Sequence, residues 1–242
     1  MTQLIILHGW KSSSKKWQEV KQTLESQNRG LDVLTLDLPG FKPENKLLKP
    51  WSLDDYVEWV YQVKEAQHIK EPFYLLGHSF GGRIALKFAL KYPELLKGLI
   101  LVSSAGIKNT SFKTKMLNLM ARISQKIKIQ KCPCFDFSRK FVYRFILKKT
   151  DYLKTDDDLA MKETMKMALK EDLLPLLSEI KTKTLLLWGA KDKLTPLENG
   201  KLMKEKISNS ELIVLEGVGH APYLECPELL SEKILTFLEC KK

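Results

Sequence analysis

The sequence has few long apolar runs, few cysteines and few acids, and each shortage excludes something. No stretch of its 242 residues reaches the ~18 consecutive apolar residues that a membrane-spanning helix needs. The opening residues MTQLIILHGW carry no basic leader and no small-residue cleavage site, so the chain reads as cytoplasmic. Four cysteines are too few for a disulfide framework. Cys132 and Cys134 are separated by one residue, while Cys226 and Cys240 stand alone. The C-x₂₋₄-C pairs of a zinc site are missing, so reduced thiols and no metal are expected. There is no internal repeat and no low-complexity tract. Asp and Glu total 29 against 40 Lys and Arg, a formal charge of +11. That balance points loosely to a polyanionic partner, whether nucleic acid, an anionic membrane or an acidic protein.

What remains is an ordinary globular composition, 44% hydrophobic and 29% charged. Short apolar runs at Leu4–Leu7, Val33–Leu36, Phe73–Leu76, Gly98–Val102, Thr184–Trp188 and Glu211–Leu215 barely alternate. Continuous apolar strands suit a parallel sheet buried on both faces. Helical patterns separate them: Trp17–Gln27, a helix opening at Ser52 with Asp55 three residues on, Phe80–Tyr92 before Pro93, Pro196–Ile207 and Glu228–Glu239. Strand and helix alternate as in a doubly wound α/β fold. Residues 107–180 break the rhythm. They read as helices over Phe112–Ile129, Phe137–Lys148 and Leu159–Leu169, the last continuing to about Ile180. The expected organisation is a core of residues 1–106 and 181–242, with 107–180 forming a helical cap over the carboxyl edge of the sheet, where ligands bind.

The sharpest motif is Gly77-His78-Ser79-Phe80-Gly81, between an expected strand and an expected helix. A tight turn there lifts the Ser79 hydroxyl above the sheet, and side chains at Gly77 and Gly81 would clash. The helix that follows points its positive end at charge developing beside Ser79. A serine hydroxyl needs a base, and the chain has only four histidines. His68 lies near a helix end, far from any carboxyl edge. His78 is next to the serine and points its side chain away. His8 shapes the loop after the first strand. His220, in Gly217-Val218-Gly219-His220, follows the last strand and is the expected base. The base needs a carboxylate to fix its tautomer. Asp192 follows the Thr184–Trp188 strand, while Ser103-Ser104-Ala105-Gly106 after the Gly98–Val102 strand offers no acid. The backbone N–H groups of Trp10 and Phe80 are the expected oxyanion donors, with Trp10 supplied by His8-Gly9-Trp10.

These residues, together with Asp37-Leu38-Pro39-Gly40-Phe41, make residues 3–106 and 181–240 resemble the α/β-hydrolase superfamily. Lys11 stands where members often have a second glycine of H-G-x-G. The chain opens directly on the strand leading to His8-Gly9, without the usual N-terminal hairpin. A minimal six-stranded, all-parallel sheet is therefore expected. A serine at the elbow argues against the branches that use an aspartate nucleophile. The resemblance implies a carboxylic-ester hydrolase acting on small to medium acyl chains through an acyl-enzyme, with no cofactor. Thioester hydrolysis, acyl transfer and C–C hydrolysis of a meta-cleavage product use the same triad, and a ligand receptor could keep the fold.

The charge is concentrated in the expected cap. Residues 107–149 hold twelve Lys and Arg and a single acid, Asp136. Seven of the eleven excess charges fall in 107–180. Apolar positions recur there at helical spacing, with Met116, Met120, Phe141 and Phe145 as candidate pocket residues. The basic face reads as solvated surface or as a docking site for an acidic acyl carrier protein or an anionic membrane. In its His8-Gly9-Trp10 loop, compact length and basic helical cap the chain resembles the pimeloyl-carrier-protein methyl ester esterases. With the charge on an expected lid and no recognisable nucleic-acid module, a nucleic-acid partner is not expected.

Overall fold

A computed structural model of the chain describes residues 2–108 and 159–239. Six strands form one sheet: β1 (Thr2–Leu7), β2 (Leu31–Leu36), β3 (Phe73–His78), β4 (Leu96–Val102), β5 (Thr184–Gly189) and β6 (Ser210–Leu215). Their order is β2-β1-β3-β4-β5-β6, and every neighbouring pair is parallel. The direction of winding reverses between β1 and β3, so a crevice opens at their carboxyl ends.

The helices among the described residues are α1 (Gln18–Gln27), α2 (Leu53–Ala66), α3 (Phe80–Lys91), α4 (Leu159–Lys170), α5 (Leu197–Lys206), the single turn α6 (Pro222–Glu225) and α7 (Pro227–Glu239). None of them is long and apolar enough to cross a membrane. Alternate strand residues serve two cores. Ile5, Leu7, Leu75, Leu99, Leu101, Leu186 and Trp188 pack with α2, α3, α4 and α5. Leu4, Ile6, Leu76, Ile100, Leu185 and Leu187 pack with α1 and α7 on the other face. This two-sided burial is why β3 and β5 are buried along their whole length and show no polar alternation.

Local chemistry sets the element ends. Ser52 and Asp55 form the expected capping box at the start of α2, with Ser52 N–H to Asp55 Oδ2 at 2.7 Å and Asp55 N–H to Ser52 Oγ at 3.1 Å. Trp17 closes a 3₁₀ turn, Ser14–Trp17, and α1 starts one residue after it. The helix expected to run on toward Ile180 stops at Lys170, and Leu174–Glu179 is a 3₁₀ turn. Pro175 cannot donate into a continuing α-helix, Asp172 accepts the Leu174 N–H, and Leu173 donates to the Gly106 carbonyl at 2.9 Å.

Helix α4 is seated firmly on the core. Met161, Met165 and Ala168 are buried, and Thr164 Oγ1 accepts the Trp51 N–H at 2.8 Å. Arg83, four residues past Ser79, donates from Nη1 to the carbonyls of Ala168 (2.8 Å) and Glu171 (2.9 Å). A buried guanidinium thus caps the negative end of α4 and satisfies carbonyls that a helix end leaves open. The two expected helices Phe112–Ile129 and Phe137–Lys148, and the candidates Met116, Met120, Phe141 and Phe145, lie outside the described residues.

Candidate active site

The turn after β3 places Ser79 at φ 51° and ψ −111°, a strained conformation for a residue with a side chain. The surroundings hold it there. Ser79 N–H donates to the Val102 carbonyl (3.2 Å), and the Ser79 carbonyl accepts from Gly82 and Ala105 (3.0 Å each). The turn is tight enough that a Cβ at Gly77 would stand 2.4 Å from the Gly81 carbonyl oxygen. A Cβ at Gly81 would stand 2.3 Å from the Leu7 carbonyl oxygen. The elbow therefore packs backbone on backbone, directly over the end of β1.

Three residues expected to act together meet at this edge. His220 Nε2 lies 3.0 Å from Ser79 Oγ, and His220 Nδ1 lies 2.8 Å from Asp192 Oδ2. The Asp192 side chain is fully buried, while that of His220 is partly exposed. Asp192 Oδ1 accepts the N–H groups of Leu194 (2.8 Å) and Thr195 (3.0 Å), and Oδ2 also accepts the Thr195 hydroxyl (2.8 Å). Burial pushes the Asp192 carboxyl up, but the bonds from His220 and Thr195 outweigh it and hold it below the usual carboxylate range. A carboxylate so held accepts from Nδ1–H, which leaves Nε2 bare toward the serine.

Beside the elbow, the loop after β1 is fixed by His8. Its Nε2 accepts the Leu38 N–H at 3.0 Å, so its proton sits on Nδ1 and is donated to the Gly9 carbonyl at 2.8 Å. Burial lowers the His8 pKa, which keeps this tautomer neutral. The Gly9 carbonyl also accepts the Ser12 N–H at 3.2 Å. A planar trans peptide turns the Trp10 N–H to the side opposite that carbonyl. Phe80 opens α3, where a backbone N–H has no partner within the helix. The Trp10 and Phe80 rings meet edge to face, 5.0 Å apart, and Phe41 packs on Trp10 at 4.8 Å. Lys11, which stands where family members often have a second glycine, takes φ 52°, a left-handed conformation that a glycine would favour.

Three contacts had no clear signal in the sequence. Thr195 Oγ1 lies between Asp192, the Ser103 carbonyl (3.0 Å) and His220 Nδ1 (3.3 Å). His78 Nε2 lies 2.8 Å from the His220 carbonyl oxygen. Glu225 accepts the Gly219 and Ala221 N–H groups on either side of His220, at 2.7 and 3.0 Å. His68 sits beyond the end of α2, away from this cluster.

A family model described as alpha/beta hydrolase fold matches residues 2–128, just over half of the chain. The chain belongs to the alpha/beta hydrolase family. A second model, described as TAP-like protein, matches residues 165–240 of this hydrolase. Lipase 1 of Psychrobacter immobilis is 26% identical, with 97% of this chain aligned to 76% of the lipase. A 2-hydroxy-6-oxononadienedioate/2-hydroxy-6-oxononatrienedioate hydrolase of Pseudomonas putida is 27% identical over 97% of this chain and 87% of its own. Among solved structures, an esterase from Exiguobacterium antarcticum superposes with a TM-score of 0.75 at 20% identity. That match covers 99% of this hydrolase and 92% of the esterase.

Proposed function

We propose that this hydrolase cleaves carboxylic esters through an acyl-enzyme. Ser79 is the nucleophile, His220 the general base and then acid, and Asp192 the residue that orients it. The observation that carries the reading is the continuous chain Ser79 Oγ, His220, Asp192, with links of 3.0 and 2.8 Å. In the first half, Ser79 Oγ bonds to the ester carbonyl carbon while His220 Nε2 takes its proton. The carbonyl oxygen becomes an oxyanion held by the Trp10 and Phe80 N–H groups. These donors act on charge that is absent in the ground state, which is where such bonds lower a barrier most. The tetrahedral species then breaks its bond to the alcohol oxygen, which leaves with the proton from His220. In the second half, water replaces the alcohol in the same sequence and frees Ser79 and the acid.

The cap reading extends this. The lysine-rich sequence of 107–149 carries twelve Lys and Arg against one acid, a charge complementary to an acidic carrier protein or an anionic membrane. The lipase relative supports an ester substrate. The Pseudomonas putida relative favours one second reading, C–C bond hydrolysis by the same triad. A panel of p-nitrophenyl esters of graded chain length, an acyl thioester, a carrier-linked ester and a vinylogous diketone separates them. The proposal expects Ser79-dependent turnover of the esters, and turnover of the diketone alone would replace it with the second reading. If the cap docks a carrier, preference for the carrier-linked ester falls as salt rises.

A further inference from the structure

His78 ends β3 and precedes Ser79, and the sequence gives it no task. In the structure its ring is buried beside Tyr223 and Trp17, at centroid distances of 4.9 and 6.0 Å. Its Nε2 lies 2.8 Å from the main-chain carbonyl oxygen of His220. A carbonyl only accepts, so His78 carries its proton on Nε2 and donates it. Nδ1 is then a bare acceptor, buried with no partner. Leaving such an atom unpaired costs about 1–3 kcal/mol, so the arrangement calls for a reason. On that side stands Gly9: a Cβ there would be 2.8 Å from His78 Nδ1 and 3.2 Å from Ser79 Cβ. One edge of the ring therefore bonds the loop that carries His220. The other abuts the loop that carries Trp10.

From this geometry we infer that His78 is a positioning residue that sets the His220 loop against Ser79 by donating to the His220 carbonyl. The inference rests on the triad reading above. The His220 loop begins at Gly217, with φ 77°, and contains Gly219, so its own backbone restrains it little. Glu225 holds the N–H groups on either side of His220, and His78 holds its carbonyl, which fixes both polar sides of the backbone. A histidine suits this place better than a permanently charged donor. Burial drives its pKa down to about 3, helped by the nearby His220 and opposed by the His220 carbonyl and Asp192. It stays neutral and brings no second positive charge to a ring 5.0 Å away that becomes imidazolium during catalysis.

The test compares wild type with His78→Phe, His78→Gln and His78→Asn. It measures kcat and KM on a p-nitrophenyl ester, the rate of Ser79 capture by a fluorophosphonate, and Tm. A glutamine amide nitrogen reaches the place of Nε2, whereas that of asparagine reaches only the place of Nδ1. His78→Phe and His78→Asn are expected to lower kcat and capture rate by about 10- to 100-fold, as a displaced catalytic group does, with little change in KM. His78→Gln is expected to restore most of the loss at a Tm similar to that of His78→Asn. Wild-type kcat in His78→Phe, or equal losses in the glutamine and asparagine variants, would overturn the inference. If His78→Phe does not fold, the glutamine–asparagine pair decides. Fluorophosphonate capture needs no particular substrate, so a wild type that is captured but hydrolyses no ester refutes the ester reading and leaves this test in force.

Discussion

The Asp192 carboxylate meets His220 through one bond, 2.8 Å from Oδ2 to Nδ1, and its remaining acceptor capacity is taken by Leu194 and Thr195. The group is an acceptor in every direction, so an amide in its place turns an N–H either against the Leu194 and Thr195 donors or toward His220 Nδ1, which then accepts and carries its proton on Nε2. Asp192→Asn is expected to lower kcat by about 10²- to 10⁴-fold, because the His220 tautomer is no longer fixed. Stability should show the same linkage. A depressed folded-state pKa stabilises the fold above the unfolded value of about 4, and that contribution is lost as pH falls through the lower folded value. Urea titrations from pH 5 to 2 should find this acid-limb loss in wild type and a smaller one in Asp192→Asn.

Thr195 offers a finer test of the same carboxylate. Its hydroxyl bridges Asp192 Oδ2 and the Ser103 carbonyl across 92 residues of chain. The one hydroxyl proton is shared by the two acceptors; Thr195→Val keeps the shape and removes it, so the Ser103 carbonyl loses this donor and Asp192 Oδ2 keeps only His220, at a cost of about 1–3 kcal/mol. The expected result is a Tm drop with a fall of about tenfold in kcat, and recovery of most of both in Thr195→Ser. Steady-state kinetics and a melting curve check this together.

Two buried neutral histidines make the fold acid-sensitive. Burial lowers the pKa of His8 and takes His78 to about 3. Below the unfolded value of about 6.5 the unfolded chain binds protons that the folded chain refuses, so stability falls with pH. For His78 the window runs from about 6.5 to 3, with a slope approaching ~1.4 kcal/mol per pH unit once the unfolded histidine is fully protonated. Unfolding free energies measured between pH 7 and 4.5, above the range in which Asp192 contributes, should decline in wild type and decline less steeply in His78→Gln.

The elbow should tolerate no added methyl group. Gly77→Ala and Gly81→Ala each press a Cβ to within 2.4 and 2.3 Å of backbone oxygens that cannot move aside. Each is expected to cost about 3 kcal/mol or more and to appear as aggregation or a large Tm loss. Thermal melts of the two variants beside wild type decide it.

Much of this was legible in the sequence because it is carried by local signals. Mostly apolar runs of four or five residues marked all six strands, the elbow motif marked Ser79, and strand order singled out His220 and Asp192 as the histidine and carboxylate expected beside it. The missed contacts are side-chain bonds to distant backbone. His78 reaches a carbonyl 142 residues away, and Arg83 one 85 residues away. Such bonds leave no period and no motif, since any residue supplies a carbonyl and only the fold decides which one is near. The end of α4 was misplaced for a related reason. Apolar spacing continued through Leu173-Leu174, while Pro175 and the Asp172 cap ended the helix. Lys11 was read as a departure from a glycine pattern, and it takes a left-handed conformation that a glycine would favour.

The central claim is that Ser79 is the nucleophile, and fluorophosphonate labelling with peptide mass spectrometry, run beside ester turnover, tests it most directly. The account predicts one phosphonyl group on Ser79 in wild type, none in Ser79→Ala, and a loss of turnover in that variant of about 10³-fold or more. A label on another residue, or a Ser79→Ala variant that hydrolyses esters at the wild-type rate, would contradict it.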